Sequence, residues 1–248
     1  MTRPPAPIAL RRLELLWVLE QCGAGDWPYP LAPVAWPADT EDETVLARAG
    51  VEDALAGRGL LDPAPAAVLL AVGTAVRDRR RQLDLVRRST TTPLAAVAVG
   101  ADTGAALLSS ADHAGADVHV RLLRPDELVP AALALLPRLP AAPGPPLPVP
   151  AGVAEVETRR RERMRLAVGD VLESVTAWTQ LGVLTAPDEV TSPARRADAA
   201  VKWLDSPRGR YRLRHDPGQA PGGTARLVPD DTASPGVRAE LEALLGAR

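Results

Sequence analysis

The chain has 248 residues, a formal net charge of −2 and 46% hydrophobic residues, enough apolar material for a sizeable core. The near-neutral charge gives no overall attraction to nucleic acid or to an anionic membrane, and the single cysteine excludes an intramolecular disulfide. Arg11, Arg12 and Glu14 interrupt the N-terminal apolar run, and no apolar run reaches the roughly 18 residues that a spanning helix needs. We therefore expect a cytoplasmic protein with no membrane-inserted segment.

The first half of the chain is predicted to contain helices followed by short strands. Residues 8–20 indicate a strand that runs into a helix, and the proline-rich residues 27–33 indicate an extended connector. Asp39 and Thr40 supply a helix start, so a helix is predicted to about Ala56. The remaining predicted elements are a helix from Ala66 to Arg81, an antiparallel meander of strands at 82–86, 94–99, 105–108 and 118–122, and a helix from Asp126 to Leu136.

A proline-rich segment separates this part from the rest of the chain. Residues 137–150 contain seven prolines, a composition typical of a stiff, extended link. The apolar spacing beyond the link predicts a helix from about Val153 to Leu181, which carries Trp178. The elements predicted next are a helix from Pro193 to Leu204 that carries Trp203, a hairpin of 209–214 with 224–228, and a closing helix from Val237 to Leu245.

One phrase occurs twice in the sequence. Residues 121–127 read Arg-Leu-Leu-Arg-Pro-Asp-Glu, and residues 226–231 read Arg-Leu-Val-Pro-Asp-Asp. In both places an apolar run ends in proline and acid, and a leucine-rich helix is predicted to follow. The repeat predicts a single domain over residues 1–248 that consists of two related halves, about 1–140 and 151–248, whose strands pair into one sheet.

A second pair of segments suggests how the halves differ. Gly59-Leu60-Leu61 and Gly182-Val183-Leu184 both follow a predicted helix and lie 123 residues apart, whereas the leucines of the repeated phrase lie 105 apart. This comparison predicts that the second half lacks one hairpin.

Few residues form patterns that suggest catalysis. Asp102-Thr103-Gly104 has the sequence of an aspartic protease loop, in which two carboxylates share a proton. The second half has no matching triplet, so only a homodimer would complete the pair, and a simple hairpin turn is the alternative interpretation. The three histidines, His113, His119 and His215, lack the spacing of metal ligands. We expect no catalytic residues, no metal and no cofactor.

Two arginine-rich runs suggest an alternative function. Residues 77–81 contain four arginines and residues 159–165 contain five, and either run would suit nucleic-acid phosphates. Asp78, Asp84 and Glu162 lie within or beside these runs, so ion pairs on a solvated helix face are the favoured interpretation. We therefore expect no nucleic-acid partner.

Several short stretches, taken in chain order, resemble the EspG family of cytosolic chaperones in type VII (ESX) secretion. They are 13–19, 27–31 (Trp-Pro-Tyr-Pro-Leu), 58–61 (Arg-Gly-Leu-Leu), 82–87, 95–100, 133–137, 208–211 and 226–230. The resemblance implies an α+β fold of quasi-twofold symmetry, with one central twisted antiparallel sheet flanked by two helical bundles. It also implies a non-enzymatic protein that binds a PE–PPE heterodimer at the helical tip of the PPE subunit and keeps it soluble for export.

The resemblance also implies where a partner binds. The implied contact residues are Arg87, Arg88, Ser89, Thr90, Thr91 and Thr92 in the loop after one predicted strand, and Trp178 and Trp203 on second-half helices. A plain polar turn is the alternative for the loop, and core filling is the alternative for the tryptophans. A WXG-type secretion substrate is the alternative partner, and a homodimer stays open.

Overall fold

The computed structural model describes residues 6–102, 104–111, 115–149, 167–185, 195–196, 201–215, 225–231 and 235–246. Its centre is one 11-stranded sheet in which each named strand pairs antiparallel with its neighbours. The prediction of an α+β fold built on a single antiparallel sheet is therefore confirmed.

The strands are β1 Ile8–Leu10, β2 Arg81–Ser89, β3 Leu94–Ala101, β4 Gly104–Ser110, β5 Val118–Leu123, β6 Leu147–Val149, β7 Ala177–Thr185, β8 Arg195–Arg196, β9 Val201–Ser206, β10 Gly209–His215 and β11 Ala225–Pro229. The helices are α1 Arg12–Gln21, α2 Glu41–Gly57, α3 Pro63–Arg77, α4 Leu128–Leu133, α5 with described residues 167–173, and α6 Pro235–Gly246, and a 3-10 turn Pro125–Glu127 precedes α4.

The strand order shows the quasi-twofold symmetry. Across the sheet it is β1-β5-β4-β3-β2-β7-β9-β10-β11-β6, with the short β8 beside β7. Counted outward from the central β2–β7 pair, the main path of the described sheet takes five strands from each half, in the same relative order. The repeated phrase begins in β5 and in β11 and runs past the end of each strand, and these two strands occupy equivalent places in the order.

The prediction that the second half lacks a hairpin is wrong. Gly182 lies inside β7 and pairs with Asp84 of β2, whereas Gly59 follows α2, so the two glycines are not equivalent. The true counterpart of β2 is β7, and with that alignment every strand of the first half has a counterpart among the described strands of the second.

Two predicted helices of the second half are wrong in part or in whole: the helix predicted over 153–181 is helical at 167–173 but becomes a strand from Ala177, and the described residues of the helix predicted over 193–204 form strands. The stretch 177–185 forms β7, in which Leu181 and Val183 face one apolar cluster while Trp178 faces another. The stretch predicted as a helix to Leu204 contains β8 and β9. The apolar spacing of 168–175 is helical, and its chance continuation to Trp178 concealed the change to a period of two.

The other predicted elements are largely confirmed. The opening strand and helix, the meander, the hairpin of β10 with β11 and the closing helix all form. Thr40 caps α2 by accepting a hydrogen bond from Glu43 N at 3.2 Å. The helix predicted over 66–81 instead begins at Pro63 and ends at Arg77, and α4 is shorter than the predicted 126–136. The residues that join β10 to β11, 216–224, lie outside the described residues.

The sheet is covered on both faces. On one face, α4 and α6 pack on a cluster that spans both halves and includes Leu85, Leu181 and Trp203. On the opposite face, α1 and α3 cover the first half over Val97 and its neighbours, while α5 packs with residues of β9–β11 in the second half. The rest of the predicted second bundle lies outside the described residues.

The proline-rich link is pinned to the sheet along part of its length. Arg210 N donates to Pro140 O at 2.9 Å, and Ala142 N donates to Arg210 O at 3.0 Å. Residues 147–149 form the edge strand β6, where Pro148 removes only one donor from the ladder. Gly209 has a φ of 126°, and a Cβ there would lie 2.8 Å from the backbone of Ala142, so the close approach requires glycine.

Candidate partner-binding surface

A polar loop joins the two central strands of the first half. β2 ends at Ser89 and β3 begins at Leu94, which leaves four residues between them. Ser89 Oγ accepts hydrogen bonds from Thr91 N at 3.3 Å and Thr92 N at 3.4 Å, so one side chain closes the turn. Thr90, Thr91 and Thr92 are exposed.

Trp178 lies beside the start of this loop. The β2–β7 register pairs Arg88 with Trp178 and Ser89 with Ala177. Directly opposed residues in an antiparallel pair project from the same face, so Arg88 and Trp178 are neighbours. Arg88 is exposed and Trp178 is half-buried against the cluster of Val168 and its neighbours. The structure thus brings most of the predicted contact residues to one end of the central ladder.

Arg87 and Trp203 do not lie on the surface where partner contacts were predicted. Both project from the opposite face of the sheet, because Thr179 pairs with Arg87 on one side and with Trp203 on the other. Arg87 is 6% exposed and Trp203 is 0% exposed. Trp203 Nε1 donates to Asp230 Oδ2 at 3.1 Å inside the core. Trp203 is therefore a core residue on a strand, as the core-filling alternative holds, and offers no surface to a partner.

A buried charge cluster lies beneath the loop on that face. Arg210 donates to the Asp205 carboxylate twice, from Nε to Oδ1 at 2.6 Å and from Nη2 to Oδ2 at 3.0 Å. Arg87 Nη2 donates to the same Asp205 Oδ2 at 3.2 Å. Arg210 is 0% and Asp205 1% exposed, so this is an ion-pair network in a water-poor interior.

A strip of buried and half-buried residues continues from Trp178 along the middle of its face. β2 contributes Gln82, Asp84 and Val86 to the strip, and β7 contributes Gln180 and Leu184. It lies between the apolar cluster of α1–α3 and the cluster of α5, since Val86 pairs with Ala95 of the first cluster and Trp178 with Leu204 of the second.

The strip combines a buried polar pair with half-buried residues, two apolar and one polar. Gln82 Nε2 donates to Asp84 Oδ1 at 2.6 Å, and both side chains are buried, whereas Val86, Gln180 and Leu184 are half-buried. Sequence reasoning missed this strip because it assigned β7 to a helix. The alternation of polar and apolar residues over 82–86 could have predicted which residues of β2 belong to the strip.

The first arginine run is engaged in ion pairs. Arg77 pairs with Asp78, with Nε to Oδ1 at 2.7 Å, and this hydrogen bonding lowers the pKa of the Asp78 carboxyl. Arg79 reaches Asp26 at 3.7 Å, and Arg80 reaches Asp102 at 3.1 Å. These pairs fit the predicted surface ion pairs, although α3 ends before Arg79. The second run, 159–165, lies outside the described residues.

Asp102 lies at the tip of the β3–β4 hairpin. β3 ends at Ala101 and β4 begins at Gly104, and the Asp102 side chain is 79% exposed. This position fits the hairpin-turn interpretation, because a shared-proton carboxylate pair needs an enclosed site. Among the residues that the structure describes, no group of three or more His, Cys, Asp or Glu side chains is placed to hold a metal. Within the same residues, none of the helices is both long and apolar enough to cross a membrane.

Comparisons with known proteins agree with this architecture. The structure is similar to that of the Mycobacterium tuberculosis type VII secretion system chaperone EspG5, which was solved in complex with a PE25–PPE41 dimer. The TM-score is 0.63 at 12% sequence identity, and the match covers 96% of this chain and 95% of that chain. A sequence search of curated proteins finds no match. The family model of EspG matches residues 11–242, so the chain belongs to the EspG family.

Proposed function

We propose that this protein is a cytosolic type VII secretion chaperone that binds a PE–PPE heterodimer at the helical tip of the PPE subunit and keeps it soluble for export. The observation that carries the proposal is the match over nearly the whole chain to the fold of EspG5, a chaperone solved with a PE25–PPE41 dimer. Membership of the EspG family supports it independently of that structure. A WXG-type substrate is the alternative partner, and a homodimer is the alternative assembly.

The surface chemistry supports binding at the end of the central ladder. The exposed Arg88 and threonines offer polar contacts, while the half-buried Trp178 offers an aromatic ring next to them. Aromatic rings and arginines dominate the energetics of many protein interfaces. An apolar helical tip that would otherwise aggregate would be shielded there. We assign the contact to Arg88, Ser89, Thr90, Thr91, Thr92 and Trp178, while Arg87 and Trp203 support the surface from inside.

The first test is co-expression of the tagged chain with each PE–PPE pair and each WXG-type protein of its own genome. The expected result is a stoichiometric complex that keeps a PPE-type protein soluble and survives size exclusion at high salt, because burial of apolar surface is little screened by ions. Capture of a WXG-type protein alone would transfer the proposal to that class. Failure to retain any of these proteins would refute the proposed function.

A pair of variants locates the interface. Trp178→Ala should weaken the complex by about 2 kcal/mol, about 30-fold in Kd, as for a central interface tryptophan. Leu46→Ala is the matched control, because Leu46 is a 71% exposed apolar side chain on α2, a helix that packs on α1. Titration by calorimetry measures both. Equal affinities for wild type and Trp178→Ala would place the interface elsewhere.

A further inference from the structure

Arg87 joins the loop to the other half of the molecule. Its Nη1 donates to Thr92 O at 2.8 Å and also to Thr92 Oγ1, while its Nη2 donates to Asp205 Oδ2 at 3.2 Å. One guanidinium group therefore connects the loop residue Thr92 to an acid 118 positions away from Arg87 in sequence. The planar fork of arginine suits this double contact, whereas the single ammonium of lysine would not span both sides.

Asp205 is itself held on several sides. Arg210 grips both carboxylate oxygens, and the Arg210 guanidinium lies 5.2 Å from the centre of the Trp203 ring. The backbone of Arg210 is fixed in turn by Pro140 and Ala142 of the proline-rich link. The Asp205 carboxylate to which Arg87 attaches is therefore held in place by β9, by β10 and by the proline-rich link.

The turn does not need this network in order to close. Ser89 already accepts hydrogen bonds from two backbone N–H groups of the loop, which is enough for a short polar turn. Burying two arginines and one aspartate carries a large desolvation cost, so the network by itself is weak evidence of added stability. Because Ser89 closes the turn by itself, we infer that the network serves to hold the loop in one conformation.

We propose that Arg87 and Asp205 are positioning residues that hold the β2–β3 loop in the shape a partner binds. The proposal rests on the proposed function in so far as the loop is the partner surface. A loop that is fixed beforehand loses less conformational entropy on binding, so the anchor raises affinity without touching the partner. Arg210 acts on the loop indirectly, because it orients the carboxylate of Asp205.

The first experiment measures the loop without any partner. Arg87→Met removes the link but leaves the Asp205–Arg210 pair intact, so the variant is expected to fold, unlike Asp205→Asn, which would leave two buried arginines without a counter-charge. We expect amide hydrogen exchange of Thr91 and Thr92 to rise at least about tenfold, with β7 and β9 still protected.

The control for this experiment is Arg212→Met. Arg212 is 4% exposed on the same face of the sheet and pairs with Glu240, but no described contact joins it to the loop. It should lose stability without faster exchange in the loop. Unchanged loop exchange in Arg87→Met, or an equal rise in both variants, would overturn the proposal.

The second experiment measures affinity for the PE–PPE heterodimer captured by the wild-type protein. Arg87→Met should bind about tenfold more weakly, mainly through slower association, while Arg212→Met binds as wild type does. Wild-type affinity in Arg87→Met would overturn the proposed link between loop shape and binding. If the wild type captures no heterodimer, the proposed function fails and so does this link, and the exchange experiment alone still decides whether Arg87 anchors the loop.

Discussion

At the scale of the residue, burial separates two tryptophans that look alike in the sequence. Trp203 is 0% exposed and donates its indole N–H to Asp230, whereas Trp178 is half-buried on the other face. Trp203→Ala should lower the free energy of unfolding by about 3–5 kcal/mol, because it opens a cavity and leaves Asp230 without this donor. Trp178→Ala should lower the free energy of unfolding by clearly less than Trp203→Ala does. Urea denaturation followed by circular dichroism measures both, and equal losses would contradict the assigned environments.

The single cysteine should be chemically quiet. Burial raises the pKa of the Cys22 thiol, and the positive charge of Arg77 opposes that rise only in part. A raised pKa reduces the thiolate fraction, which is the reactive form. We expect iodoacetamide to label Cys22 slowly in the native protein at pH 7 and rapidly in urea at the same pH. Equal labelling rates, followed by mass spectrometry, would show an accessible thiolate instead.

At the scale of the element, α3 packs on α1 at a position that only glycine fits. A Cβ on Gly73 would overlap Cys22 Sγ and would lie 3.4 Å from Val18 O. Gly73→Ala should therefore destabilise the protein by about 1–3 kcal/mol, although alanine is the better helix former.

The second variant of this test is Cys22→Ala, which removes the overlapping sulfur. In the Gly73→Ala background it should recover part of the loss, because the Cβ of residue 22 would still lie within 2.9 Å of the added methyl group. Thermal unfolding of the four proteins completes the cycle. Strict additivity of the two substitutions would rule out the proposed contact.

The start of α2 should depend on pH. Glu43 Oε2 accepts hydrogen bonds from Asp39 N and Thr40 N, and these bonds lower the pKa of the Glu43 carboxyl. A lowered folded-state pKa adds stability above the ordinary glutamate pKa, and that stability is lost as pH falls through the lower folded value. Wild type should thus be more stable than Glu43→Gln at pH 7. The difference should begin to shrink below about pH 4.3. If urea titrations show that the stability difference between wild type and Glu43→Gln grows as the pH falls, the lowered pKa of Glu43 is wrong.

At the scale of the whole molecule, the two halves share one sheet and one of the apolar clusters that cover it. The β2–β7 ladder runs from the Arg81–Thr185 pair to the Ser89–Ala177 pair across the centre of the sheet. The cluster beneath it draws Leu85 from one half and Leu181 from the other. Separation would expose both strand edges and half of this cluster to water.

Fragments test this dependence. Residues 1–140 and 151–248, expressed separately, should be insoluble or should lack fixed tertiary packing. Near-ultraviolet circular dichroism and size exclusion measure the outcome, with the full chain as the control. Two fragments that each unfold cooperatively would show two independent domains.

The sequence by itself determined the first half, the repeat and the loop. Thr40 and the acids after it mark the start of α2, and the alternation of 82–86 marks β2, because both signals arise from neighbours along the chain. The repeated phrase located β5 and β11. The polar residues 89–92 between two apolar runs predicted a surface turn.

Only the tertiary structure decided which elements the second half forms and which of the predicted contact residues are buried. Residues 177–185 become a strand because they lie between β2 and β9 and are covered on the α6 face, a context that local spacing does not contain. The strand register then leaves Trp178 half-buried on one face of the sheet and places Trp203 in the core on the other. The contact of Arg87 with Asp205 joins residues 118 positions apart, and only the folded sheet brings them together.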